Sequence, residues 1–268
     1  MQLSRITGFL SAAALTLTVT LGVATNAQAA PASSGPAYVA MGDSYSSGVG
    51  AGSYDSDSGG CKRSTQAYPA LWAADHAPSD FAFVACSGAR TGDVLDQQMG
   101  ALNSDTGLVS LSIGGNDAGF SSVMQSCVLG SDSSCLDRIN QAGTFVRDQL
   151  PGRLDSVYSA ISDKAPNARV VVLGYPRLYK LGGTCIGLSD TKRRALNAAA
   201  DLMDSVIAKR AADHGFGYGD VAAAFAGHEL CSGSPWLHSV SWPVDESYHP
   251  TADGQSQGYL PVFTSAAG

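Results

Sequence analysis

Short apolar runs recur along the chain, each closed by a glycine-bearing turn: Tyr38 to Met41, Phe81 to Ala85, Leu108 to Ile113, Arg169 to Leu173 and, more weakly, Phe216 to Val221. Runs of this length without strict alternation fit strands covered on both faces, the pattern of a parallel sheet. Between them lie longer stretches with helical spacing. Ala142 to Ser162 is expected to form one helix and Thr191 to Asp213 another, the latter opened by Ser189 or Asp190 as a cap. A further helix is expected after Thr251-Ala252-Asp253. This alternation predicts a three-layer α/β/α fold with right-handed crossovers around a central parallel sheet of about five strands. The Gly/Ser-rich stretch Gly48 to Gly60 reads as a surface loop.

The amino-terminal stretch does not belong to this pattern. Arg5 is its one charge, an apolar run extends from Ile6 to Val23, and Ala27-Gln28-Ala29 supplies a small-residue cleavage site. Residues 1–29 therefore read as a secretory signal peptide, cut before Ala30, rather than as a membrane anchor, because threonines interrupt the apolar run. Residues 30–268 then form a single domain, exported and without stable membrane insertion. The net charge of −7 becomes one unit more negative when Arg5 departs. Such a balance argues against nucleic acid as a partner, which requires clustered lysine and arginine.

Six cysteines, Cys61, Cys86, Cys127, Cys135, Cys185 and Cys231, all follow the leader, and an even number in an exported chain favours disulfides. Neither a CxxC pair nor an HExxH stretch supports a metal site, and Asp55 and Asp57 lack the spacing of a calcium loop. Spacing alone leaves the pairing open among fifteen connectivities.

Candidate chemistry collects at strand ends. Ser44 follows the first strand, Ser87-Gly88-Ala89 the second and Gly114-Gly115-Asn116-Asp117 the third. In a parallel sheet those ends share the edge where ligands bind. A serine hydroxyl needs a base and an oxyanion site to act as a nucleophile. The backbone N–H groups of Ser44 and Gly88 and the amide of Asn116 are candidate oxyanion donors. Among His76, His214, His228, His238 and His249, the last stands on a loop restrained by Pro250, just before the final helix, and is the candidate base. His214, beside Asp213, reads as a capping or surface residue. Gly254-Gln255-Ser256-Gln257-Gly258 matches the GxSxG pattern, but no strand precedes it and no histidine follows it, so Ser256 is not the expected nucleophile. Trp236, Trp242 and Tyr248 are candidates for the wall of an acyl pocket near His249.

In this order, Gly42-Asp43-Ser44-Tyr45-Ser46, Gly88, Gly114-Gly115-Asn116-Asp117 and His249-Pro250 resemble the SGNH (GDSL) hydrolase superfamily, and within it the secreted actinobacterial lipases and esterases. The resemblance implies a flavodoxin-like fold, with Ser44 as nucleophile, His249 as base, and Ser44, Gly88 and Asn116 as the oxyanion hole. It also implies sequential disulfides, Cys61 to Cys86, Cys127 to Cys135 and Cys185 to Cys231. Where the superfamily commonly has aspartate three residues before the histidine, this chain has Glu246, with Asp245 one residue earlier. The orienting group for His249 is therefore either the Ser247 main-chain carbonyl, as described for some relatives, or the Glu246 side chain.

The expected function is that of an extracellular, monomeric serine hydrolase of fatty-acid esters, triacylglycerols and simple acyl esters first, with no cofactor or metal. Phospholipase or thioesterase activity is the alternative on the same scaffold, and a secreted lipid- or glycan-binding module the alternative of another class. Activity is expected to fade in acid as an imidazole of ordinary pKa, about 6.5, takes up a proton.

Overall fold

The structure, a computed structural model, describes residues 35–183 and 185–268; the leader expected over residues 1–29 lies outside them. From Tyr38 to Gly42 every residue of β1 (Ala37–Gly42) is buried, because helices cover both of its faces. After it come the short helix α1 (Ser44–Ser47), a 3₁₀ turn (Ser56–Cys61), α2 (Tyr68–His76), β2 (Phe81–Phe83), α3 (Thr91–Asp93) and β3 (Thr106–Ser112). Three helices then run in succession, α4 (Phe120–Leu129), α5 (Asp132–Asp148) and α6 (Leu150–Lys164), before β4 (Arg169–Leu173). The long α7 (Asp190–Asp213), β5 (Gly217–Gly219), α8 (Val221–Ala224), a π-helical segment (Gly254–Tyr259) and α9 (Leu260–Ala267) follow, and further short helical segments lie at Val94–Gln98, Met99–Ala101 and Val244–Glu246.

Every strand pairs in parallel, in the order β2-β1-β3-β4-β5. This is the flavodoxin-like order, and its direction of winding reverses between β1 and β3, so a crevice opens beyond the carboxyl ends of those two strands. α2 and α9 pack together, and Tyr38 of β1 sits among Trp72, Phe81 and Phe263. α5, α6 and α7 pack on one another in a second helical group, with α4 against α5. Buried hydroxyls link the sheet to α2: the Tyr38 hydroxyl lies 2.7 Å from Ser110 Oγ, and the Tyr68 hydroxyl donates to the same atom at 3.0 Å.

The expected helix over 142–162 is two helices. Pro151 has no N–H to give and its ring crowds the carbonyl four residues back, so α5 ends at Asp148 and α6 starts with Pro151 in its first turn. Its neighbour in the second group, α7, is capped as the sequence suggests: Ser189, rather than Asp190, accepts from the Lys192 N–H. The stretch Gly48 to Gly60 is only partly a surface loop. Its first part, Gly48 to Ala51, is buried, and a β-carbon on Gly50 would stand 2.7 Å from the Pro250 carbonyl oxygen and 3.0 Å from His249 Cβ. Glycine composition suggested exposure, whereas here glycine allows one loop to lie directly on another.

Candidate active site

The turn that follows β1 is shaped by Asp43. Its carboxylate accepts from the Tyr45 N–H at 3.0 Å, capping α1, and from Ser112 Oγ at 2.8 Å. The Tyr175 hydroxyl donates to its other oxygen. Below the turn, the Gln98 side chain clasps both backbone groups of Gly42, accepting from N–H at 2.7 Å and donating to C=O at 2.9 Å. Asp43 is fully buried, and desolvation raises its pKa to about 6 despite these hydrogen bonds. Ser44 thus begins a helix turn fixed on both sides, with its backbone N–H unbonded among the described residues.

His249 reaches this turn from the carboxyl-terminal part of the chain. Its Nε2 lies 2.7 Å from Ser44 Oγ, and its Nδ1 lies 3.1 Å from the Ser247 carbonyl oxygen. A carbonyl only accepts, so Nδ1 carries the ring hydrogen of the neutral imidazole and Nε2 is left to accept from the Ser44 hydroxyl. Glu246 does not touch the ring; its Oε1 accepts from the Tyr54 hydroxyl at 2.8 Å. Desolvation pushes the His249 pKa down to about 4, outweighing the hydrogen bond to Ser247 and the charge of Asp245, both of which pull it up. The ordinary imidazole value expected from sequence is therefore corrected downward.

The loop bearing His249 is held by contacts from several segments. The Tyr45 hydroxyl donates to the Tyr248 carbonyl at 2.7 Å, and the Tyr45 ring centroid is 5.1 Å from that of His249. The His238 N–H donates to the His249 carbonyl at 2.9 Å, while His238 Nε2 donates to the Gly50 carbonyl at 2.8 Å. Tyr248 is held at φ of 64°, a left-handed conformation uncommon for an aromatic residue.

Asn116, after β3, donates through Nδ2 to the Ala89 carbonyl at 3.0 Å, tying its loop to the one after β2 and leaving one amide hydrogen free. In that second loop Gly88 adopts φ of 79°, and its N–H is likewise unbonded among the described residues. Ser44 and Asn116 line one cavity, whereas Gly88 lines a second depression with Cys61, Cys86 and Ser87. Asp117 turns away: it accepts from the Thr91 N–H and hydroxyl and fastens the loop to α3. Disulfides join Cys61 to Cys86, Cys127 to Cys135 and Cys185 to Cys231.

The cavity beside Ser44 holds about 790 Å³ of empty space including its open mouth, and its walls are almost wholly apolar. α4 contributes Phe120 and Val123, α5 contributes Ala142, Gly143 and Val146, and α7 contributes Leu196, Ala199 and Met203. Small residues at the α5–α7 contact leave this space open. The aromatic wall expected from sequence is not there: Trp236 is buried against His228, Trp242 points to solvent, and Tyr248 lines a different groove. Helix-borne aliphatic residues from the middle of the chain surround the cavity instead, and no local motif marks them.

The remaining histidines are engaged elsewhere. His76 stacks on Trp72, and His214 Nε2 lies 3.0 Å from Asp155 Oδ1. Ser256 lies in the π-helical segment, where Gly254 and Gly258 admit the Phe225 ring; a β-carbon on Gly258 would come within 2.3 Å of it. Among the described residues no group of three or more His, Cys, Asp or Glu side chains is placed to hold a metal ion.

The family model for the GDSL-like lipase/acylhydrolase family matches residues 40–257, from β1 through the segment after His249. The chain belongs to the GDSL-like lipase/acylhydrolase family. Lipase 1 of Streptomyces coelicolor is 65% identical over 268 residues, covering all of both chains, and the lipase of Streptomyces rimosus is 61% identical over 267 residues, 99% of this chain and 100% of that one. Two solved structures are similar throughout the described part. Phospholipase A1 from Streptomyces albidoflavus NA297 superposes with a TM-score of 0.86 at 66% identity, covering 87% of this chain and 100% of its own. The extracellular lipase from Streptomyces rimosus gives 0.85 at 65% identity, covering 86% and 99%. As a serine ester hydrolase of this lipase/acylhydrolase family, the chain needs a hydroxyl that can lose its proton, and the Ser44–His249 contact supplies the geometry for that loss.

The residues that sequence reasoning left without a role here are Asp43, Gln98, Tyr175 and Tyr45. Asp43 and Tyr45 flank Ser44, so their neighbourhood was a signal. Gln98 and Tyr175 lie far along the chain and give none.

Proposed function

We propose that residues 1–29 are removed on export and that residues 30–268 act outside the cell as one catalytic domain hydrolysing carboxylic esters of fatty acids. The Ser44 hydroxyl gives its proton to His249 Nε2 as Oγ attacks the ester carbonyl. The developing oxyanion accepts from the Ser44 and Gly88 N–H groups and from the free Asn116 amide hydrogen. The imidazolium, stabilised through Nδ1–H by the Ser247 carbonyl, then protonates the departing alcohol. Water enters and gives its proton to the same nitrogen as its oxygen bonds the acyl carbon; the bond from that carbon to Ser44 Oγ then breaks, Oγ takes the proton back from the imidazolium, and the fatty acid leaves. Every proton is accounted for by one imidazole, and no step calls for a cofactor.

The observation that carries this reading is the 2.7 Å contact between His249 Nε2 and Ser44 Oγ, with Ser44 in the lining of an apolar cavity. Such a cavity favours an acyl chain, since each methylene withdrawn from water contributes about 0.8 kcal/mol. Relatives at nearly equal identity carry the names lipase and phospholipase A1, which supports acyl-chain recognition with a permissive head group. The test is a hydrolysis panel of triacylglycerols, phospholipids, thioesters and simple esters across chain lengths. We expect rates to rise with chain length up to the capacity of the cavity, and to vanish for Ser44→Ala. Equal rates for acetyl and long acyl esters would remove the cavity from the account, and full activity in Ser44→Ala would remove the mechanism.

A further inference from the structure

The large hydrophobic side chains most exposed among the described residues are Leu129, Leu181, Ile186, Val240, Trp242 and Val244. All fall in three stretches, 118–131, 181–189 and 230–244, that contain no Asp, Glu, Lys or Arg. The three meet: Val128, Ile186, Leu237 and Val240 line one groove, and the Cys185–Cys231 disulfide joins two of the stretches covalently. Isolated exposed apolar residues need no explanation, but three uncharged stretches that carry all six and meet at one groove, which Ile186 and Val240 line, do on an acidic protein.

We infer that this face seats the enzyme on the surface of neutral or zwitterionic lipid aggregates, so that the mouth of the acyl cavity opens toward the lipid. The inference rests on the function proposed above. Two structural links connect the face to the site. α4 carries Phe120 and Val123 into the acyl cavity at one end and Val128 to the groove at the other, where its last residue, Leu129, is exposed. Tyr248 lines the groove and immediately precedes His249. Charge selects the partner. With a net charge of −7 and no lysine or arginine in the three stretches, an anionic surface would repel the protein, whereas an uncharged or zwitterionic one exacts no such cost. Ile186 and Trp242, 96% and 91% exposed, are the two side chains that would lose the most contact with water, and an indole is well suited to the boundary between headgroup and acyl chain.

The test uses the full mature protein carrying Ser44→Ala, so that vesicles stay intact. Cosedimentation with phosphatidylcholine vesicles is compared between this protein and the same protein with Ile186→Ser and Trp242→Ser added. Removing two large apolar side chains from the contact should weaken partitioning by about tenfold or more, with an unchanged unfolding midpoint. Because Trp72 and Trp236 are buried, a blue shift of tryptophan emission on vesicle addition should be lost with Trp242. With Ser44 restored, the double variant should lose activity on emulsified triacylglycerol by a similar factor, and keep kcat/KM on a water-soluble monomeric ester. Equal partitioning of the two proteins, or tighter binding to phosphatidylglycerol vesicles than to phosphatidylcholine, would overturn the inference. So would equal loss on the monomeric ester, or a dimer in light scattering that the double variant dissolves while neither protein binds vesicles. Vesicle binding with no hydrolysis anywhere on the ester panel would overturn the proposed function and leave the docking face standing.

Discussion

At the scale of single residues, the site is set by how His249 is solvated and by what holds its Nδ1. Burial disfavours the imidazolium and lowers its pKa to about 4, so the ring remains a base well below the pH at which an exposed histidine fails. The acid limb of kcat/KM on a soluble ester reports the free-enzyme pKa of the essential base. It should therefore fall off near pH 4, with activity retained through pH 5 and 6; a limb centred at 6.5 would mean that the ring is open to water in solution. Glu246 supplies a second test. Its carboxylate accepts from Tyr54 and not from the imidazole. Glu246→Gln should accordingly cost less than about tenfold in kcat, against the roughly 10⁴-fold cost of the amide swap at an orienting aspartate.

At the scale of elements, the glycine-rich segment after α1 and the π-helical segment near the end show how the same residue type serves two purposes. Gly50 has φ of 90° and lies against Pro250 and His249, so Gly50→Ala should both destabilise the fold and push the imidazole away from Ser44. About 1–3 kcal/mol of stability and about 10²-fold in kcat are expected, measured by chemical unfolding and by turnover of the folded enzyme. Gly258→Ala collides with the Phe225 ring instead, so it should lose stability on the same scale while the folded fraction keeps its kcat. A reversed pattern would show that Gly50 does not position the base.

These elements also show what the chain made legible. β1, β3 and β4 could be placed within a residue or two because unbroken apolar runs such as Val39-Ala40-Met41 have no other stable use in a chain of this class. Ser44, Asn116 and His249 could be singled out because each follows or precedes a backbone break that fixes its place at the sheet edge. The α5–α6 break was missed, although Pro151 stood in view, because the apolar spacing continues across it. The acyl cavity could not be read at all, since Val123, Ala142 and Ala199 are ordinary core-facing residues until α4, α5 and α7 are packed.

At the scale of the whole molecule, distant segments are fastened around the reaction site. The Cys61–Cys86 disulfide and the Ser87 N–H to Cys61 carbonyl bond of 3.1 Å fix the loop that bears Gly88. The next residue, Lys62, pairs with Asp245 on the loop that carries His249. In the chain-entropy view a closed loop of about 25 residues contributes on the order of 3.5 kcal/mol. The double variant Cys61→Ala/Cys86→Ala should lower the unfolding midpoint by roughly 7–14 °C. Below that midpoint it should also reduce kcat, because the Gly88 N–H proposed as an oxyanion donor is no longer held; a lower midpoint with unaltered kcat would confine the bridge to stability.

The proposed chemistry requires Ser44 and His249 to work as one unit, and covalent trapping addresses that directly. Intact-mass and peptide mapping after exposure to a fluorophosphonate should find one adduct per chain, on Ser44, forming at least about 10²-fold more slowly in His249→Ala. An adduct on any other serine, Ser256 included, or labelling of Ser44 at an undiminished rate without His249, would contradict it.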